Sequence, residues 1–304
     1  MTFSLAHLPA FLSLLLALMV PAVLSPALAD TPVQVEVELE YRYDLARPML
    51  DLINDFRAGS EAWAWSPDDS EQVYYDNLKP LEYDYGLEQV AMQRAAECAV
   101  HYDHTRPDGT SCFTVYPSAG CGENIAAGYR TTKAVFTAWQ EDDEPFGGQG
   151  HRRNMLSRSL GYIGIGCVYA DGTYYWCQAF CSRATCESGT ALTGPAIVDA
   201  TVEMLRADGM TDLCAEVEVL KIPEGGTEGL PAVTGRSGGW GRIRMTVLDP
   251  PWVPDNSSII SVDGGFLTAV TPGITTLTVD IGETLDLDAV SLSRKQIRNE
   301  STCR

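Results

Sequence analysis

Apolar and polar residues alternate strictly from Val33 to Glu40, VQVEVELE, which is the two-residue period of a half-exposed β-strand. The period then lengthens. Between Ala46 and Arg57 the apolar residues Met49, Leu50, Ile53 and Phe56 recur at three- and four-residue steps, and Gly59 follows as a stop. After a polar and aromatic insertion around Ser66, Pro67 and Asp69, the stretch GLEQVAMQRAAECAVHY from Gly86 repeats the helical pattern. Leu87, Val90, Ala91, Ala95, Cys98 and Ala99 form its inner stripe, and Glu88, Gln93 and Glu97 are left to solvent. It ends near His101 and His104, before the breaker Pro107-Asp108-Gly109. Thr131 to Gln140 predicts another helix with Thr131 or Thr132 as N-cap.

Beyond this helix the period shortens to that of strands. Gly161 to Tyr169 and Tyr174 to Phe180 read as two buried strands joined by a tight turn at Asp171-Gly172. A three-residue loop would set Cys167 opposite Cys177, within disulfide reach. Tyr174, Tyr175 and Trp176 are expected to fill the core, and Arg152 and Arg153 to be surface residues or partners of carboxylates. Helices before and between strands define an α+β domain over residues 44–187, preceded by a strand or linker at 30–43. The small-residue stretch at 188–196 predicts a linker. Strands then follow one another at Leu213–Ile222, Arg242–Leu248, Ile259–Val262, Phe266–Val270 and Thr275–Ile281, as in a small all-β sandwich at 197–290, with a basic tail at 291–304.

Residues 1–29 carry no Lys, Arg, Asp or Glu, and a long apolar run there ends in Ala27-Leu28-Ala29, the pattern of a cleaved secretory leader. An uncleaved anchor is the alternative reading. Removal of the leader would leave no stable transmembrane anchor and would make the product secreted or wall-associated. All nine cysteines follow this segment, which fits an oxidising compartment. Their number is odd, so Cys303 either joins two chains or pairs with a residue such as Cys214. The formal net charge of −20 repels phosphate backbones and excludes nucleic acid as a natural partner.

The candidate chemistry lies in three histidines after the leader, His101, His104 and His151, and in the carboxylates between them. Two imidazoles and two carboxylates brought together would suit a divalent metal such as Zn²⁺. Ser157 and Ser159 lie near His151, but no G-x-S-x-G elbow accompanies them.

Four ordered phrases, AECAVHYDHT, CGENIAAGY, AVFTAW and GHRRNMLSRSLGYIGIGC, resemble the CAP superfamily of cysteine-rich secretory proteins, antigen 5 and pathogenesis-related 1, in its bacterial SCP form. The resemblance covers roughly Leu45 to Ser182. It implies an α-β-α sandwich with an open cleft whose two histidines and two acids hold zinc in several members. Carried over by motif, these are His104, Glu123, His151 and, beyond the tryptophan, Asp142 with Glu141 beside it; His104 and His151 are the implied metal ligands, and His101 matches nothing. NSSIISVDGGFLTAVTPGITTLTV is similar to the end of bacterial Ig-like group 2 domains, which implies a spacer or adhesive module.

Three functions follow from these resemblances. The first is binding of a lipid, peptide or glycan in the cleft with a divalent metal assisting. The second is metal-dependent peptide or other hydrolysis with Glu123 as base. The third is adhesion to a cell-surface component through the Ig-like region.

Overall fold

The computed structural model describes residues 31–206, 209–238 and 242–293. The expected leader and the tail from Arg294, with Cys303, lie outside them. Among the described residues no helix is long and apolar enough to cross a membrane.

The alternating segment forms the strand Pro32–Arg42, with Val33, Val35, Val37 and Leu39 all buried. It is not a linker. It pairs along all eleven residues with Pro195–Leu205, from Pro32 opposite Leu205 to Arg42 opposite Pro195. Its other edge is divided, Glu40 and Tyr41 pairing with Tyr162–Ala170 and Val35 and Glu36 with Arg244–Val247. The result is a nine-stranded sheet that runs from Cys121–Ala127 through Thr173–Cys181, Tyr162–Ala170 and this first strand to Arg244–Val247, Val233–Ser237 and Met210–Ala215. The segment expected to link two domains has no regular structure from 183 to 194, yet the regions on either side of it share one sheet.

Helices cover both faces of this sheet around the hairpin Tyr162–Ala170/Thr173–Cys181. Side chains alternate across a strand. Cys177 lies opposite Gly166, whose face receives the helix Tyr85–Val100, while the adjacent Gln178 reaches Met49 and Met155 on the other side. That other side carries the helices Met49–Ala58, Thr132–Gln140 and Gly150–Met155, with Phe56 edge-on to Phe136 at 6.0 Å. The chain is therefore α+β, an α-β-α arrangement followed by an all-β region. Helix Tyr85–Val100 starts where Asp84 accepts from the Leu87 N–H at 2.9 Å, and helix Thr132–Gln140 where Thr131 accepts from Ala134 at 3.2 Å.

Glu88 and Glu97, expected on the solvent side of their helix, are buried. Each is paid for by arginine: Arg47 binds Glu88 through two nitrogens, and Arg94 and Arg106 both bind Glu97. The disulfide expected between Cys167 and Cys177 is not formed. The hairpin loop holds two residues, Asp171 and Gly172, both at positive φ, so Cys167 faces Trp176 and Cys177 faces Gly166. A shift of one residue puts the two thiols on opposite faces of the sheet. The bond instead joins Cys121 and Cys181, paired neighbours with Cα atoms 4.1 Å apart. Tyr175 and Trp176 are buried as expected, while Tyr174 is half-buried against Tyr169 and the Arg42 guanidinium.

The all-β region adds a four-stranded sheet, Val219–Pro223, Glu283–Leu292, Gly273–Ile281 and Val253–Pro254, and a three-stranded one, Thr227–Gly229, Phe266–Ala269 and Ile260–Asp263. The strand expected over Leu213–Ile222 is two strands, Met210–Ala215 and Val219–Pro223. The last strand runs to Leu292, into the stretch expected to be tail.

Two glycines set how closely helix Tyr85–Val100 approaches the sheet. A Cβ on Gly164 would stand 2.0 Å from the Leu87 carbonyl carbon, and one on Gly166 2.2 Å from the Ala91 oxygen. Backbone on backbone cannot yield as a side chain end can. Gly164→Ala is therefore expected to cost about 3 kcal/mol or more, at the upper end of overpacking, in urea unfolding followed by circular dichroism.

Candidate functional site

The strand Cys121–Ala127 is the edge of the sheet and organises the site. Glu123 projects from it toward helix Tyr85–Val100, where Arg94 is fully buried. Arg94 donates through Nε to Glu123 Oε2 at 2.8 Å and through Nη2 to Oε1 at 3.3 Å, while its Nη1 holds Glu97 at 2.6 Å. Tyr116 donates to Oε2 at 3.4 Å. His104, with its side chain 56% exposed, places Nδ1 2.8 Å from Oε1. Burial pushes the Glu123 carboxyl upward, but the hydrogen bonds from His104 and Arg94 and the Arg94 charge outweigh it and hold the group below its ordinary value.

His151 sits on the short helix Gly150–Met155 and belongs to a second pair. Its Nδ1 makes a short hydrogen bond with Glu141 Oε1, and its backbone N–H donates to Glu141 Oε2 at 3.0 Å. Glu141 adopts the left-handed conformation, φ 50°, at the end of helix Thr132–Gln140, which turns its carboxylate back over the next helix. Asp142, the acid implied beyond the tryptophan, does not meet His151. It lies 2.5 Å from Arg152 Nη1. Arg152 is no surface residue: it is buried between the Phe56 and Trp63 rings and also donates to the carbonyls of Glu61, Trp63 and Gln140. Arg153 stacks on Phe146 with its guanidinium 4.0 Å from the ring centre.

The four residues singled out by the motifs thus enter three separate contacts, the pairs His104–Glu123 and His151–Glu141 and the salt bridge Asp142–Arg152. Asparagines tie the pairs together. Asn124 donates to the His151 carbonyl at 3.1 Å, and Asn154 donates to Asn124 at 2.8 Å and to the Glu123 carbonyl at 3.3 Å. A cleft of about 580 Å³ opens beside the edge strand, lined by Ile125, Tyr129, Trp139, Glu141, Asp142 and His151 among others, including Tyr102, Asp143 and Glu144. His104 and Glu123 lie outside that lining, with Glu123 two residues along the strand from Ile125 and on the same face.

Three donors converge at the His104 end. A ring nitrogen of His104, the Cys112 sulfur and a Glu123 oxygen all lie within 4.8 Å of one another. Nitrogen, thiolate and carboxylate are ligands that zinc accepts, so the donor set fits the metal the resemblance implies. The set does not include His151, which Glu141 holds elsewhere. Burial pushes the Cys112 thiol up to about 11.

Sequence reasoning missed Arg94 and Cys112, and put Asp142 ahead of the neighbouring Glu141. Arg94 left a signal, a cation on the same helical stripe as Leu87, Ala91 and Cys98. For Glu141 over Asp142 the deciding fact is one left-handed residue, which spacing does not show.

Residues 50–180 match the family model for the cysteine-rich secretory protein family, CAP, and form a CAP domain. The uncharacterized protein YkwD of Bacillus subtilis strain 168 is 32% identical over 113 residues, 35% of this chain and 41% of YkwD, so well under two thirds of that relative is spanned. Among solved structures, an extracellular protein containing an SCP domain from Bacillus anthracis str. Ames is 23% identical, with 45% of this chain and 40% of that one covered at a TM-score of 0.34. The NaASP2 structure with Zn²⁺ is 20% identical, covering 45% of this chain and 80% of that one, also at a TM-score of 0.34.

Because its folded carboxyl is held below the ordinary value, Glu123 contributes stability above about pH 4.3, the unfolded-state value, and this is lost as pH falls through the lower folded one. Arg94→Met leaves that carboxylate buried without its guanidinium. The expected loss is about 3–5 kcal/mol at neutral pH, shrinking in acid as Glu123 takes up a proton, measured by urea unfolding at pH 7 and pH 3.5.

Proposed function

We propose that this chain is an exported CAP-domain protein that binds a small polar ligand, a peptide or a glycan, in the cleft beside the strand Cys121–Ala127. The observation that carries the reading is the make-up of that cleft: Tyr102 and Tyr129 offer exposed rings over a floor that includes the buried Trp139, while His151, Glu141, Asp143 and Glu144 offer hydrogen-bonding groups. Aromatic faces beside carboxylates suit sugars and the polar backbone of a short peptide, and suit the methylene chain of a lipid poorly. With Nδ1 engaged by Glu141, His151 keeps Nε2 as the nitrogen to meet a ligand. Export rests on the uncharged apolar leader and on the Cys121–Cys181 disulfide, a bond that persists in oxidising surroundings.

Zinc is the cofactor this reading admits, with His104, Cys112 and Glu123 as the residues to hold it, and it would supply a fixed positive charge next to the cleft. Hydrolysis with Glu123 as base finds less support, because, despite burial, the His104 and Arg94 hydrogen bonds and the Arg94 charge hold that carboxyl below its ordinary value, which makes it a weaker base. For the all-β region we propose a supporting spacer. It shares the first strand with the CAP domain through Arg244–Val247 and Pro195–Leu205, which suits holding the cleft away from an attachment point.

The test is equilibrium binding of a tetrapeptide library and an oligosaccharide panel to the full chain. Probes retained by the wild type are expected to weaken at least about tenfold, or 1.4 kcal/mol, in both His151→Ala and Tyr129→Ala. Equal retention by the two variants, or no probe retained by the wild type, overturns the reading.

A further inference from the structure

The loop after helix Tyr85–Val100 brings together two residues eight positions apart. The Cys112 backbone N–H donates to the His104 carbonyl at 3.1 Å, and Thr105 and Ser111 form an isolated antiparallel bridge just inside them. Arg106 braces the loop from within, binding Glu97 and Asp108, each at 2.8 Å, and the Thr110 and Thr114 hydroxyls. The loop therefore closes on a fixed neck, and at that neck the Cys112 sulfur meets the His104 ring and the Glu123 carboxylate. Two of the three donors are buried and held by backbone, and the third is exposed, which leaves an entry path for an ion.

We infer that His104, Cys112 and Glu123 form a thiolate-containing metal site, selective for zinc and other thiophilic cations, that is complete without His151. The motif resemblance implies a site built on His104 and His151 and gives Cys112 no part; the sulfur is a property of this chain. The charge count around the neck supports it. Arg94 and Arg106 face three carboxylates, Glu97, Glu123 and Asp108, so the cluster carries one net negative charge. A divalent cation bound with release of the thiol proton brings this partly buried cluster to neutrality, the condition under which burying charge costs least. A sulfur ligand selects zinc, cadmium or copper(I) over magnesium and calcium, which require oxygen cages. The thiol proton leaves to solvent as the metal–sulfur bond forms, with no change of oxidation state.

The test uses the purified full chain, stripped of metal, and titrations with Zn²⁺ and with Co²⁺ as a spectroscopic substitute. One Co²⁺ per chain with a sulfur-to-cobalt charge-transfer band is expected. Cys112→Ser should abolish the band and weaken Zn²⁺ at least about tenfold, since even partners outside the coordination sphere cost that much. His104→Ala should weaken Zn²⁺ similarly, and His151→Ala should leave both metals bound as in the wild type. In the wild type itself, where no variant has to fold, Zn²⁺ should protect Cys112 from alkylation and a chelator should restore its reactivity. Magnesium binding equal to zinc, an absent band, unchanged affinity in Cys112→Ser, loss in His151→Ala equal to that in His104→Ala, or Cys112 found in a disulfide would each overturn the inference. A working metal site would stand even if the cleft bound no peptide or glycan.

Discussion

The buried contact between Arg94 and Glu123 is the constraint on which the site depends. It joins the helix Tyr85–Val100 to the edge strand Cys121–Ala127 across a layer boundary, with both side chains almost out of water. A carboxylate so placed needs a cation, and a guanidinium so placed needs a second anion, which Glu97 supplies. The rest of the neighbourhood follows from satisfying these charges. Arg106 answers Glu97, the loop that carries Arg106 closes over it, and His104 is delivered against the remaining face of Glu123. The histidine can stay exposed because its acid does the anchoring.

Much of the fold was legible from period alone. The first strand, the helices Tyr85–Val100 and Thr132–Gln140 and the hairpin after Gly161 each show a clean two- or 3.6-residue repeat, and each appears within a few residues of its expected limits. Failures came where a single backbone torsion or a long-range partner decides. A two-residue turn rather than three moved Cys177 from Cys167 to the opposite face. Glu88 and Glu97 read as solvent residues because Arg47, which neutralises the first, and Arg106, which joins Arg94 on the second, come from outside the helix.

The site shows the same division. Motifs pointed to His104, Glu123 and His151, and the fold brings them onto adjoining elements. They did not show that each histidine has its own acid, or that His151 lines the cleft while His104 and Glu123 lie outside its lining. Glu141 wins over Asp142 through the left-handed turn at a helix end, and Arg152, freed from any carboxylate at His151, takes Asp142 instead. Cys112 was read only as one cysteine among nine, because the loop that folds it back on His104 is held by backbone and hydroxyl contacts that leave no periodic trace.

The first strand has a consequence for how the molecule assembles. Val35 pairs with Val247, a separation of more than two hundred residues, and Glu40 with Tyr169. A segment synthesised near the start must wait for nearly the whole chain before both its edges are filled. Pairings this distant slow folding, because the entropy of closing the intervening loop is spent before any contact is gained. The central strand cannot find its last neighbour until most of the chain is available, and closure then joins the α-β-α layers and the β region in one late event.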